Sequence, residues 1–409
     1  MKNNDVNERI LAAGVKRSND GKKTGLNRND LIIGGSGSGK TTGYVAPNLY
    51  NPSGSFVVSD TKGKLYQKYK KHLEELGYLV ILIDLVEPDK SCGYNPISYI
   101  RRYPDGSIYE PDIKKLALLI SPPLDYDEPF WDKANTRYLA MLIGYVAEAL
   151  PEDQRNMNSV LALHRAYISG KADSLLEEWA DENPGSYSAR KYAMLSGLRS
   201  IDKTFRCIME FANDALDPFD CDEFSRIFSS QKSIDIHQLG MRKTALFINS
   251  SDHDKSYSVL TSIISFQIMQ TLIDDADKTE DDELLCPVNL YLDDFAAAAR
   301  IPDFESTISI IRSRNISVSI ILQSLSQLKH MYGANSASTI INNCDTILYL
   351  GGGHDLETAQ FIANHANKPA YTVLSLPRSK AILITSGDKP VEVDKIKPTD
   401  EISGFTVLQ

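Results

Sequence analysis

Residues 30–47 read DLIIGGSGSGKTTGYVAP, and the reading of this stretch decides the fold. Leu31, Ile32 and Ile33 are a short β-rich apolar run that stops at Gly34. From there Gly34, four residues, Gly39, Lys40 and Thr41 complete the phosphate-loop spacing. Gly35, Ser36, Gly37, Ser38 and Gly39 carry little side chain, so successive backbone N–H groups can converge on a phosphate at a helix N-terminus. Lys40 is then placed to reach the β and γ phosphates, and Thr41 to put its hydroxyl on a bridging Mg²⁺. With Thr42 just behind them, these residues form a candidate site for ATP and Mg²⁺.

Working outward, residues 40–49 are expected to form a helix, Phe56, Val57 and Val58 a buried strand ending near Asp60, residues 64–76 a second amphipathic helix, and residues 78–85 a third strand. This alternation points to an α/β fold, a parallel-rich sheet with helices on both faces. The 29 residues before the loop are polar and read as an arm or lead-in strand. From residue 99 to about 202 strand-like runs vanish, and Trp131, Tyr138, Leu142, Tyr145 and Ala149 recur at helical spacing. This predicts a helical insertion of about a hundred residues. Strands resume at 244–248, 288–293, 316–322 and 346–350, interleaved with helices, and residues 371–409 read as short strands and turns.

At 409 residues the chain exceeds one small core, and 42% hydrophobic with 24% charged residues is an ordinary soluble balance. Acidic residues outnumber basic ones by 54 to 44, a net charge of −10, which excludes a uniformly basic coat. Any polyanion must meet a local basic surface, and Lys62, Lys64, Lys68, Lys70 and Lys71 form the one conspicuous basic helix face. Five scattered cysteines with no C-x-x-C pair argue against a disulfide framework and a zinc knuckle. No run is long enough for a membrane span and no signal-peptide pattern opens the chain, so a cytoplasmic protein is expected.

Asn289, Leu290, Tyr291 and Leu292 lead into Asp293 and Asp294, an apolar strand ending in carboxylates. A phosphate-loop protein needs an acid there: the first Asp for the metal, the second to polarise the attacking water. On spacing alone the pair also suits a surface corner. Gln323 ends the next strand, where a polar side chain would face a γ-phosphate or simply cap a loop. Arg312 and Arg314 leave a helix just before that strand, as an arginine finger for a neighbouring subunit or as a solvated helix end.

The segment NLYLDDFAAAARIPDFESTISIIRSRNISVSIILQSLSQLKHMYG, with INNCDTILYLGG after it, resembles the nucleotide-binding domain of type IV coupling proteins. GGSGSGKT, SDTKGKLY, LGYLVILIDL, GYNPISYI, EPFWDKA and LGMRKTALFINSSD match in order as well, over residues 25–365. The resemblance implies a RecA-like phosphate-loop NTPase domain interrupted by an all-α domain: residues 1–98 and 203–409 bind nucleotide, and residues 99–202 recognise cargo. It implies Asp293, in the segment 288–294, as the Walker B acid, Gln323 as a sensor, and Arg312 as the finger. It further implies a homo-hexameric ring at the inner face of the cell membrane, taking single-stranded DNA with its relaxase, or relaxosome, to the components of a type IV secretion channel. Where the family usually has Asp-Glu-Phe this chain has Asp293, Asp294 and Phe295, so the base is one methylene short. Membrane-spanning helices that usually come first do not precede this loop, which implies a trimmed portion or recruitment by a membrane partner; the region after Ala366 looks shortened. The leading expectation is a DNA-translocating ATPase. The alternative is a nucleotide-gated docking module for protein cargo with little turnover.

Overall fold

Leu31 and Ile33 join the core on one side of a sheet and Ile32 the core on the other, as the two-residue period of a strand requires. All three are fully buried, each worth about 1.5–3 kcal/mol of transfer from water. A computed structural model describes residues 7–122, 129–199, 201–230, 232–251, 256–295 and 300–396. The strands are β1 (Glu8–Ala12), β2 (Val15–Ser18), β3 (Asp30–Ile33), β4 (Ser55–Asp60), β5 (Leu79–Asp84), β6 (Thr244–Asn249), β7 (Val288–Leu292), β8 (Ile316–Leu322), β9 (Thr346–Tyr349), β10 (Lys380–Thr385) and β11 (Val391–Asp394). β1 and β2 form a separate antiparallel hairpin, and the other nine make one sheet in the order β11-β10-β9-β3-β8-β7-β4-β6-β5.

Every neighbouring pair from β9 to β5 is parallel, and β10 alone runs against the rest, pairing antiparallel with both β9 and β11. β8 therefore lies between β3, which carries the glycine loop, and β7, which carries the acids. Parallel strands must be covered on both faces, which is why β3, β4 and β8 are buried throughout rather than alternating.

Pro47 reshapes the helix expected over residues 40–49. The structure instead has a π-type turn, Thr41–Val45, followed by an α-helix, Ala46–Tyr50. An unbroken α-helix would need an N–H at residue 47 for the carbonyl of Gly43, and proline has none and crowds that carbonyl. The wider turn, closed by the Ala46 N–H on the Thr41 carbonyl, absorbs the misfit.

Of the two readings of the N-terminal segment, arm or lead-in strand, the structure has the strand. Ile10 and Leu11 are buried in β1, and Arg9 reaches the base of the sheet, donating from Nε to Asp30 Oδ2 at 2.8 Å. Tyr44 donates to the same oxygen at 2.6 Å and meets Ser319 Oγ at 2.9 Å. Asp30 is fully buried, so this network satisfies a charge that would otherwise be costly.

Between β5 and β6 the long elements are helices: Glu110–Ile120, Pro129–Ala149, Met157–Ile168, Asp173–Glu182, Tyr187–Arg199, Asp202–Leu216 and Asp222–Ser229. Tyr138, Leu139, Leu142, Ile143 and Val146 place the longest of them at the centre of this region. Tyr138 Oη meets His164 Nδ1 at 2.8 Å, and His164 Nε2 meets Asn213 Oδ1 at 2.9 Å, so three helices share one buried polar chain. Arg101 fastens the region to the helix Ser256–Ala276 that covers the sheet. Its guanidinium donates to both oxygens of Asp274, at 2.7 and 2.8 Å, and to both of Asp112. Among the described residues no helix is long and apolar enough to cross a membrane.

Candidate nucleotide-binding site

The loop begins where β3 ends. Ile33 is paired with Leu322 on one side and Tyr349 on the other, and the Gly34 N–H donates to the Leu322 carbonyl at 3.1 Å. The Gly35 N–H donates to the Gly351 carbonyl at 3.0 Å, and a Cβ on Gly35 would lie 2.1 Å from the Gly352 oxygen. Only glycine fits under that backbone. Gly37 and Gly39 have φ values of 71° and 94°, which turn the loop back toward its helix at little steric cost.

Inside the turn, the Lys40 ammonium donates to the carbonyls of Gly34 at 2.9 Å and Gly35 at 3.3 Å. Ser38 Oγ is buried without a hydrogen-bond partner among the described residues. A buried hydroxyl in that condition is costly, and it suits a loop that closes on phosphate oxygens.

Thr41 Oγ1 donates to Asp293 Oδ2 at 2.7 Å, although the two are separated by 252 positions in the chain. The other oxygen of Asp293 accepts the N–H of Asp294 at 3.0 Å. Burial pushes the Asp293 carboxyl up, with the Thr41 hydroxyl pulling it the other way. A threonine hydroxyl and a carboxylate held against each other beside the loop are the donor set a hard divalent cation takes from a protein when phosphates and waters supply the rest.

Asp294 sits at φ 48°. In this left-handed conformation short polar side chains such as Asp and Asn are favoured, which is a local reason for Asp where a longer acid was expected. Gln323 directly follows β8 and stands exposed beside the start of the loop. Lys40, Thr41, Asp293, Asp294 and Gln323 are thus gathered at the carboxyl ends of three adjacent strands.

Arg312 is elsewhere. It lies in the 3₁₀ turn Ile311–Arg314 ahead of β8, donating to the Gly25 carbonyl at 2.9 Å. The length of β8, seven residues, separates it from its own loop by about 20 Å. Arg314 is held by Asp277 at 2.6 Å.

Two contributors were not visible as site residues in the sequence. The triplet Gly351, Gly352 and Gly353 covers Gly35, and its only signal was three glycines at the end of a strand. Lys395, just past β11, donates to the Ser38 carbonyl at 3.1 Å and to the Leu350 carbonyl, and nothing in the sequence linked it to the loop.

A family model described as "Type IV secretory system Conjugative DNA transfer" matches residues 2–367. Protein VirD4 of Rhizobium rhizogenes is 20% identical over 353 residues, 86% of this chain and 51% of that protein. Protein VirD4 of Agrobacterium fabrum is 20% identical over 355 residues, with the same shares covered. The chain spans about half the length of the curated relatives it matches. Among solved structures, the plasmid coupling protein TrwB in complex with the ATP analogue ADPNP superposes with a TM-score of 0.71 at 15% identity, covering 94% of this chain and 88% of that one. TrwB in complex with ADP and Mg²⁺ gives 0.67 at 16% identity over the same shares. VirB4 of Thermoanaerobacter pseudethanolicus gives 0.58 at 14% identity, covering 91% of this chain and 90% of that one. These likenesses establish the fold: a RecA-like α/β architecture with a parallel-rich sheet, interrupted by helices.

Proposed function

This chain belongs to the type IV secretory system conjugative DNA transfer family, and from that premise we propose that it is an ATP-driven coupling protein. It recruits relaxase-bound single-stranded DNA, or the relaxosome, and delivers it to a type IV secretion channel at the inner face of the cell membrane. The observation that carries the ATP-dependent part is the 2.7 Å contact of Thr41 with Asp293, which unites the glycine loop with the acidic strand end.

Gly34 to Thr42 would hold the phosphates through backbone N–H groups, with the Lys40 ammonium leaving the Gly34 and Gly35 carbonyls for the β and γ oxygens. Thr41 and Asp293 would hold Mg²⁺, which when bound neutralises charge on the phosphates and orients them for in-line attack. Asp294 takes the role of base, positioning and polarising the attacking water. Gln323, at the strand tip between the two motifs, senses the γ-phosphate.

Arg312 is about 20 Å from its own loop, which supports a role in trans. In a head-to-tail homo-hexamer it would enter the neighbour's site as a rigid cation. On this reading residues 1–98 and 203–409 form the motor and residues 99–202 select cargo.

A second reading is favoured by the short side chain of Asp294 at its left-handed position: a nucleotide-gated docking module that recruits protein cargo with little turnover. ATP hydrolysis measured with and without single-stranded DNA, alongside particle mass with ATP analogue and DNA present, separates the two. Turnover stimulated by DNA in a ring-sized particle supports the motor. Nucleotide-dependent cargo binding without turnover supports the docking module and overturns the motor.

A further inference from the structure

The amino ends of β3, β8, β7 and β4 lie at the opposite end of the sheet from the glycine loop. Arg9 ties the β1–β2 hairpin there through Asp30, and the seam holds a cavity of about 20 Å³. Asn289 and Ser317 line it from the sheet, Glu8, Arg9 and Asn19 from the hairpin, and Arg28 from the lead into β3. A space of that size seats one or two atoms as large as a water oxygen, which admits a halide and excludes a phosphate or a nucleotide.

The two arginines of the lining differ. Arg9 commits its charge to Asp30 at 2.8 Å. Arg28 has no ion pair among the described residues, and its Nη2 is buried without a hydrogen-bond partner there. Burial, and after it the Arg9 charge, pushes the Arg28 guanidinium down to about 10. Glu283 acts against them, but that carboxylate already meets Lys22 at 3.4 Å and accepts from Asn315 at 2.9 Å. A desolvated N–H on a cation is costly to leave unmet, and the neutral groups around it favour an anion as its partner. The amide oxygens of Asn19, Asn48 and Asn289 accept from Arg9 at 3.1 Å, the Ile10 N–H at 2.8 Å and Ser317 at 3.0 Å. Ser53 Oγ accepts from Asn19 Nδ2 at 3.0 Å, which leaves its own hydrogen to donate. Glu8 is the one carboxylate in the lining; it stands exposed and makes no ion pair with Arg28.

We infer that this cavity binds one monovalent anion of chloride's size, held by Arg28 Nη2 and the Ser53 hydroxyl. The ion pins the β1–β2 hairpin to the foot of the sheet, where the amide of Asn48 also holds it through both the N–H and the carbonyl of Ile10. Because it lies at the far end of the strands from Lys40 and Asp293, the site stands or falls separately from the nucleotide site.

The test melts the full chain at one ionic strength in sodium chloride and in sodium gluconate, whose anion is too large for the cavity, and reads the chloride NMR linewidth beside it. Replacing gluconate by chloride should raise the melting temperature by about 2 °C or more, because an ion that binds only the folded chain stabilises it by mass action. The chain should also broaden the chloride resonance. Both effects should vanish in Arg28→Met. Ser53→Ala, at a half-buried position, should keep the fold and raise the chloride concentration that gives half the effect by about threefold. Equal melting in the two salts with no broadening means that water alone fills the cavity and overturns the inference. A chloride response that survives Arg28→Met overturns it too. So does a response that appears only in Glu8→Gln, which would make Glu8 the counter-charge of Arg28.

Discussion

The sheet and the helical region between β5 and β6 are stabilised in different ways. At the sheet, short segments far apart in sequence are locked by specific polar contacts: Arg9 with Asp30, Tyr44 with Ser319, Thr41 with Asp293, Lys395 with the loop carbonyls. In the helical region the centre is a packed apolar mass around Leu139, Leu142, Ile143 and Val146, with Tyr138, His164 and Asn213 as one short polar chain inside it. The two share a continuous core across the helix Ser256–Ala276. Chemistry should therefore be sensitive to single atoms at the sheet, whereas the helical region should respond to volume and solvation.

The sharpest break in that contrast is Lys40→Ala. It should lower ATP turnover by at least about a hundredfold, since a cation on the transferring phosphate is lost. The melting temperature should hardly move, because among the described residues the Lys40 ammonium donates to two loop carbonyls and to no side chain. Turnover at the unaltered rate rejects the site. Next comes Arg9→Ala, expected to cost about 3–5 kcal/mol in denaturant unfolding by leaving Asp30 buried with Tyr44 alone on the carboxylate. A loss below about 1 kcal/mol would show that the polar lock at the base of β3 contributes little.

Asp294→Glu asks whether reach limits the site. The longer acid should raise turnover several-fold, a lowering of the barrier by about 1 kcal/mol, provided the left-handed backbone at residue 294 is kept. No change in steady-state rate would place the slow step outside the chemistry.

The smallest effect belongs to the helical region. Burial holds His164 below its ordinary value of 6.5, its bond to Asn213 acting in the opposite direction. The unfolded chain then takes up a proton before the folded one does. Stability is complete above about pH 6.5 and declines as pH falls through that value toward the folded one. His164→Gln should flatten thermal stability between about pH 7 and 5. A slope that survives the substitution assigns the pH dependence to other groups.

The parallel sheet was legible because its strands are apolar runs with turn signals at both ends. β8, seven buried residues from Ile316 to Leu322, is short and rich in β-branched Ile and Val, which favours a strand over a buried helix. The loop and its lysine were legible because their spacing is local. The meeting of Asp293 with Thr41 followed only once the loop was known, since 252 positions intervene.

What escaped were contacts whose partners carry no pattern of their own. Residues 1–29 were open to an arm or a lead-in strand; the strand is what forms, and charge alone could not choose it, because the burial of Arg9 depends on Asp30 being there to receive it. The π-type turn depended on Pro47 four positions beyond Gly43. Between β5 and β6 the helices continue past residue 202 through Asp202–Leu216 and Asp222–Ser229. A helix that packs on other helices and one that packs on a sheet both bury a single stripe, so periodicity draws no border between them.

Gly35 lies directly beneath Gly352, and Lys395, just past the last hairpin of the sheet, donates to the Ser38 carbonyl, so a load applied to that hairpin is felt at the glycine turn. Pulling residue 395 outward would draw on the Ser38 carbonyl through the Lys395 ammonium while it stripped Ile396 and Val393 from their apolar packing. The glycine turn and the last hairpin of the sheet are in that sense one mechanical joint.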